Sequence, residues 1–230
     1  MGNKIYEIKR KATFLLSSKI NVVTNSINKH DFVISFIGSS VTQGAGASHY
    51  KKTWISQLVS SLERETKLSI RHFNNGFGGY NVNNLRNENK FNLVIKQSPN
   101  LIVVETCDIN NYGDHLSMDT LKEDLKYFVD EINHQLPNSR VIFLPSNPTP
   151  RKLKQEENKE GLLFLDYKEQ TKDFCIKQNW VYIDFWDDFF NHLKAEGLDF
   201  NRCFDDQVHP NDIGYKVWYE SLKNYILIPQ

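Results

Sequence analysis

Short apolar runs of four to six residues recur along the chain, separated by longer stretches in which apolar residues return every three or four positions. The short runs are Phe32 to Ile37 (FVISFI), Leu68 to Phe73 (LSIRHF), Leu101 to Glu105 (LIVVE), Arg140 to Leu144 (RVIFL) and Trp180 to Ile183 (WVYI). Their length, their β-branched residues and their lack of strict apolar/polar alternation predict strands covered on both faces. Helical spacing predicts helices over Trp54 to Glu65, Val82 to Lys96, Met118 to Gln135, Glu156 to Lys177 and Asn211 to Ile226. A further amphipathic stretch, Ile5 to Asn28, mixes Ile, Phe, Leu and Val with Lys and Ser and reads as a leading helix packed on the core.

The order is strand then helix, repeated. Such alternation predicts a three-layer α/β/α sandwich built on a mainly parallel five-stranded sheet, with helices on both faces. Sheets of this kind hold ligands at the carboxyl ends of their strands. The expected organisation is the leading helix over residues 1–30 and a single domain over residues 31–230. The polar, proline-bearing stretch Ser146 to Glu160 (SNPTPRKLKQEENKE) is read as a mobile loop beside the site that opens a helix. The part of the chain beyond it has too few strands to stand alone.

Composition narrows the function classes. The chain has 230 residues, 40% of them hydrophobic, which suits one large α/β domain. Lys and Arg number 28 and Asp and Glu 28, and no basic stripe stands out, which argues against a nucleic-acid partner. No stretch approaches the roughly 20 apolar residues that span a bilayer, and MGNKIYEIKRKATFLLSSK lacks the apolar core and cleavage site of a secretory signal, so the chain reads as soluble and cytoplasmic. Cys107, Cys175 and Cys203 are too few and too widely spaced for a disulfide framework or metal knuckles, and a reducing compartment fits them best. Cys107 is expected as a buried thiol at a strand end rather than as a nucleophile.

Candidate chemistry starts at FIGSSVTQGAGAS, which places Ser40 after the first strand in a turn eased by Gly38, Gly44 and Gly46. A serine needs a base. Near the other end DDQVHPNDIGY contains Asp206-x-x-His209-Pro210, in which the carboxylate can reach imidazole Nδ1 and turn Nε2 toward a nucleophile. Pro210 suits a first helical position, leaving His209 on the loop before the last helix. A lone Asp-x-x-His is usually a surface turn; its pairing with the serine gives it chemical meaning. The other histidines lack an acidic partner at useful spacing, apart from Asp114 beside His115.

The Ser40, Asp206 and His209 set resembles the SGNH (GDSL-like) hydrolase superfamily, whose first block reads G-D-S-x-T and whose last reads D-x-x-H-P. Here the first is Gly38-Ser39-Ser40-Val41-Thr42. Asn74-Asn75-Gly76-Phe77-Gly78-Gly79 looks like the second block, N-x-G-x-x-G, and Asp108-Ile109-Asn110-Asn111 is similar to the third, G-x-N-D. The four blocks stand in the family's order across Phe32 to about Tyr225.

The resemblance implies the flavodoxin-like SGNH fold and a serine nucleophile, Ser40, with His209 as base and Asp206 as its orienter. It also implies an oxyanion hole from the Ser40 and Gly79 N–H groups and the Asn110 side chain. Three departures stand out: Ser39 replaces the block's aspartate and is the competing nucleophile, Asp108 stands where glycine is expected, and Asn111 replaces the final aspartate and is the competing amide. No metal or organic cofactor is implied, and His209 with Asp205 and Asp206 offers too few ligands for a metal site. The implied substrate is a small-molecule or carbohydrate ester with a small acyl group, acetyl first, and Tyr50, Trp54, Tyr80, Tyr112 and the Trp186 region offer aromatic faces for sugar rings. An acyltransferase using the same triad and a noncatalytic carbohydrate-binding protein are the alternatives, and the oligomeric state is left open.

Overall fold

The structure is a computed structural model that describes residues 32–151 and 156–226. The leading helix expected over Ile5 to Asn28 lies outside the described residues. Along the chain come β1 (Phe32–Gly38), α1 (Ser40–Gln43), α2 (Trp54–Thr66), β2 (Ile70–Gly76), α3 (Val82–Asn87), α4 (Phe91–Gln97), β3 (Leu101–Glu105), α5 (Asp108–Gly113) and α6 (Met118–Gln135). They are followed by β4 (Arg140–Leu144), α7 (Phe164–Lys177), β5 (Val181–Tyr182), α8 (Trp186–Glu196) and α9 (Asp212–Leu222).

The five strands form one sheet in the order β2-β1-β3-β4-β5, every neighbouring pair parallel. This is the flavodoxin-like arrangement, in which the chain reverses its direction of travel across the sheet between β1 and β3 and opens a crevice at their carboxyl ends. The expected fold class is therefore the one observed.

Burial on both faces explains why the strands read as continuous apolar runs. Leu101 and Val103 of β3 face one core with Phe32, Ile34 and Phe36 of β1, under α2, α8 and α9. Ile102 and Val104 face the other with Ile37 and Phe143, under α3, α4, α6 and part of α7. On the first face the Trp54 and Trp218 rings stack at 5.1 Å, with Phe185 stacked on Trp218 at 5.2 Å. This clamps α9 to α2 at the end of the molecule that carries the site.

Several boundaries differ from the sequence expectation. β2 runs from Ile70 to Gly76 because it pairs in register with all of β1, carrying polar Asn74 and Asn75 that a hydrophobicity pattern does not read as strand. The helix expected over Val82 to Lys96 is two helices, broken where Asn89 takes φ 55° and the Lys90 N–H returns to the Leu85 carbonyl. Residues 156–163 are not helical: the Asn158 side chain accepts the Glu160 and Leu162 N–H groups in a local turn, and α7 begins only at Phe164. α9 is capped by Asn211, whose side chain accepts the Ile213 and Gly214 N–H groups. Pro210 thus stands ahead of the helix rather than in its first turn, bridged to Phe204.

Candidate active site

The site is assembled where β1, β2 and β3 end. Gly38 closes β1, and a Cβ there would come within 2.6 Å of Glu105 Oε2 and closer still to Thr42 Oγ1, so no side chain fits. The turn after it buries Ser39 and leaves Ser40 half-buried as the first residue of α1. Ser39 is 1% exposed, which separates the two candidate serines: only Ser40 faces the crevice.

Ser40 Oγ lies 3.0 Å from His209 Nε2. The other ring nitrogen, Nδ1, lies 2.5 Å from Asp206 Oδ2. These three side chains therefore form one chain of hydrogen bonds across 169 positions of sequence. The Asp206 to His209 stretch is a tight turn rather than a turn of helix. Gln207 takes φ 64°, and Asp206 Oδ1 accepts the Val208 N–H at 2.9 Å and the His209 N–H at 2.7 Å. One carboxylate thus shapes the loop with one oxygen and orients the imidazole with the other. Its partial burial would raise the Asp206 carboxyl; hydrogen bonds from the His209 side chain and from the two backbone N–H groups outweigh that and bring it down to about 2.

The loops carrying the serine and the histidine are tied together away from the triad. Ser48 donates from N and Oγ to the two carboxylate oxygens of Asp212, at 2.9 and 2.7 Å. The Tyr215 hydroxyl donates to the Ala45 carbonyl at 2.7 Å. Gly46 packs against His209, where an added Cβ would stand 3.2 Å from the histidine Cβ and 2.5 Å from the Pro210 carbonyl oxygen.

The two candidate amides are distinct in role. Asn111 is fully buried, its oxygen accepting the Val82 N–H at 3.1 Å and its amide donating to the Thr106 carbonyl at 2.7 Å, so it is committed to the fold. Asn110 is half-buried and donates one N–H to the Tyr80 carbonyl at 2.7 Å, which leaves its second N–H for another acceptor. Gly79, the residue before Tyr80, has φ 80° and nothing within 4 Å of the position a Cβ would take. The two candidate oxyanion donors are therefore coupled through the Tyr80 carbonyl.

Other readings resolve against the geometry. Cys107, Cys175 and Cys203 are free and buried, and burial pushes the Cys107 thiol well up, out of nucleophilic range. His115 Nδ1 accepts the Lys159 N–H, and Asp114 accepts from Asn81, so the adjacent acid does not serve that histidine. Of the aromatic candidates, Trp54 is 1% and Trp186 7% exposed and both belong to the core, whereas Tyr50 is 65% exposed. Two features escaped the sequence reading. Glu105, the acid at the end of an otherwise apolar strand, is buried directly beneath the serine turn, and Trp186 opens α8 where a loop was expected.

Residues 36–217 match the family model described as the GDSL-like Lipase/Acylhydrolase family. The chain belongs to that family. Acyl-ester hydrolysis is its general chemistry, and the four sequence blocks fall where the fold brings strand ends together. Among curated proteins no sequence matches. Among solved structures, a Parabacteroides merdae protein described as a GDSL-like lipase aligns at TM-score 0.66 and 19% identity, covering 87% of this chain and 99% of its own. The acetylxylan esterase Axe2 of Geobacillus stearothermophilus aligns at TM-score 0.65 and 19% identity, covering 84% of this chain and 94% of its own. A member of the lipolytic G-D-S-L family from Veillonella parvula aligns at TM-score 0.63 and 19% identity, covering 83% and 95%. Two further Axe2 structures are of catalytic mutants, in one of which a serine and in the other an aspartate is replaced by alanine. At these identities the likeness is one of fold.

Proposed function

We propose that this GDSL-like protein is a serine esterase that removes a small acyl group, acetyl first, from a carbohydrate alcohol through an acyl-Ser40 intermediate. The observation that carries the reading is the continuous Ser40, His209 and Asp206 chain, with 3.0 Å between Oγ and Nε2 and 2.5 Å between Nδ1 and Oδ2. In this reading the Ser40 oxygen attacks the ester carbonyl while Nε2 takes its proton, and the resulting imidazolium then hands that proton to the departing alcohol. Water next attacks the acyl-serine, with His209 again taking a proton and returning it to Ser40. Asp206 holds the imidazole tautomer and stabilises its cation.

The developing oxyanion is assigned to the Ser40 and Gly79 N–H groups and the second Asn110 N–H. Ser40, first in α1, has an N–H with no intrahelical acceptor, which leaves it available. Each such donor is worth about 3 kcal/mol. Hydrolysis is favoured over transfer to a sugar hydroxyl because the Asp206 side chain is 55% and that of His209 28% exposed, so water reaches the base readily. The carbohydrate part of the reading rests on the shared fold with the acetylxylan esterase and on exposed Tyr50, a face on which a sugar ring could stack.

The test is a panel of p-nitrophenyl acetate, butyrate and octanoate beside acetylated xylose and glucose, run with wild type and Ser40→Ala. Wild type should prefer acetyl esters and take up a fluorophosphonate at Ser40, and Ser40→Ala should do neither. Turnover surviving in Ser40→Ala would remove the nucleophile assignment; turnover confined to octanoate would remove the small-acyl substrate.

A further inference from the structure

β3 is apolar until its last residue, Glu105, which is 1% exposed at the centre of the sheet. Its carboxylate collects donors from three different strand-end loops. Oε2 accepts the Ser39 N–H at 2.7 Å and the Thr42 hydroxyl at 3.3 Å, both from the turn and helix that present Ser40. Oε1 accepts the Cys107 N–H at 3.0 Å, in the turn that opens the Asn110 helix, and the Ser146 hydroxyl, after β4. Among the described residues no cation pairs with it, and it shares Ser146 with a second buried acid, Asp108. A carboxylate buried beside another acid is a costly way to fill a core position that an apolar side chain could occupy.

We propose that Glu105 is a positioning residue of the esterase: it locks the nucleophile turn to the oxyanion loop, fixing the direction of both Ser40 Oγ and the Ser40 N–H. The division of labour runs through two consecutive amides. The Ser39 N–H is taken by Glu105, while the Ser40 N–H is left for the reacting carbonyl, so the plane of the turn is set from below by a group that never meets substrate. Gly38 is the counterpart of this anchor, because any side chain at that position would occupy the volume the carboxylate fills. Through Cys107, held at φ 56°, the same carboxylate sets where α5 begins and hence where Asn110 sits. The role rests on Ser40 being the nucleophile, as proposed above.

Glu105→Gln tests it. An amide has one accepting oxygen, so it can satisfy either the Ser39 edge or the Cys107 edge and must turn an NH2 group toward the other. A displacement of about 1 Å at the nucleophile is enough for a loss of about 100-fold, so kcat and the second-order rate of fluorophosphonate labelling should fall together by about 30- to 100-fold, with KM within about threefold. Ile132→Val, a buried change on α6 far from the carboxyl ends of the strands, serves as the control for general loosening. It should lower the melting temperature while leaving kcat and labelling near wild type.

Glu105→Gln with wild-type kcat and labelling rate would overturn the proposal. So would Ile132→Val losing as much activity at the same drop in melting temperature. A wild type that takes up no label would remove the nucleophile, and the anchor's role with it, whereas a labelled wild type with an equally labelled Glu105→Gln removes the anchor alone. If Glu105→Gln does not fold, Glu105→Asp keeps both carboxyl oxygens but withdraws them by one methylene, and the same rates are read with the same expectation.

Discussion

Replacing Asp206 by asparagine separates the two jobs of that side chain. The amide keeps an oxygen for the Val208 and His209 N–H groups, now 2.9 and 2.7 Å from Oδ1, so the turn survives. Only the atom facing His209 Nδ1 changes, from an acceptor at 2.5 Å to an NH2 donor. Nδ1 must then accept, the ring proton moves to Nε2, and Nε2 presents a hydrogen rather than a lone pair to Ser40 Oγ. In serine hydrolases with this arrangement, such a tautomer reversal costs about 10³- to 10⁴-fold in kcat, or about 4 to 5.5 kcal/mol of transition-state stabilisation. The stability cost is far smaller. The Asp206 side chain is 55% exposed, so screening by water holds the lost charge-assisted bond to below about 1 kcal/mol.

The pH dependence comes from the depressed carboxyl, which sits at about 2 against 3.8 for a free aspartate. A lowered folded-state value adds stability above the unfolded value and loses it as pH falls toward the folded one. The penalty of Asp206→Asn should therefore be full above about pH 4 and vanish toward pH 2. Initial rates on p-nitrophenyl acetate, paired with urea unfolding at pH 2.5 and pH 6, measure both quantities. A kcat loss under tenfold, or a loss that scales with the drop in stability, would refute the tautomer argument.

Asn110→Ala should lower kcat by about 100-fold with KM little changed, the signature of a donor that acts on the transition state; Asn111→Ala should instead lower the urea midpoint by leaving the Val82 N–H and Thr106 carbonyl without partners. Gly38→Ala should lose both stability and activity, because its methyl competes with the Glu105 carboxylate, and a soluble variant with wild-type kcat would contradict the packing described for that turn. Asp108 is pushed up to about 7, by burial first and by Glu105 among the lesser causes. A raised carboxyl holds its proton in the folded state, so its contribution to stability declines as pH rises from about 4 to 7. Asp108→Asn cannot ionise, and its urea midpoint relative to wild type should improve between pH 5 and pH 8.

The parts of the molecule legible in the sequence were those set by local chemistry. β3 and β4 matched residue for residue because strands buried on both faces are nearly pure apolar runs, and α6 matched because eighteen residues keep one period without interruption. Elements fixed by tertiary contact were not legible: Asn74 and Asn75 are strand only because β1 lies alongside, and α1 and α5 are too short to show a period. In the site, the serine, the Asp-x-x-His turn and the glycine cluster announced themselves through residue type. Glu105 did not, although an acid ending LIVVE was visible, because nothing local says that three loops converge on it.

The pairing of Ser40 with His209 spans 169 positions, from the end of the first strand to the turn before the last described helix. All five strands end before His209 in the chain, the last of them at Tyr182, so in the proposed mechanism Ser40 depends on a base supplied from beyond the sheet. On that mechanism turnover requires α9 packed on α2, because the loop carrying His209 leads directly into α9. Turnover on the proposed mechanism would thus report that the last described helix is in place.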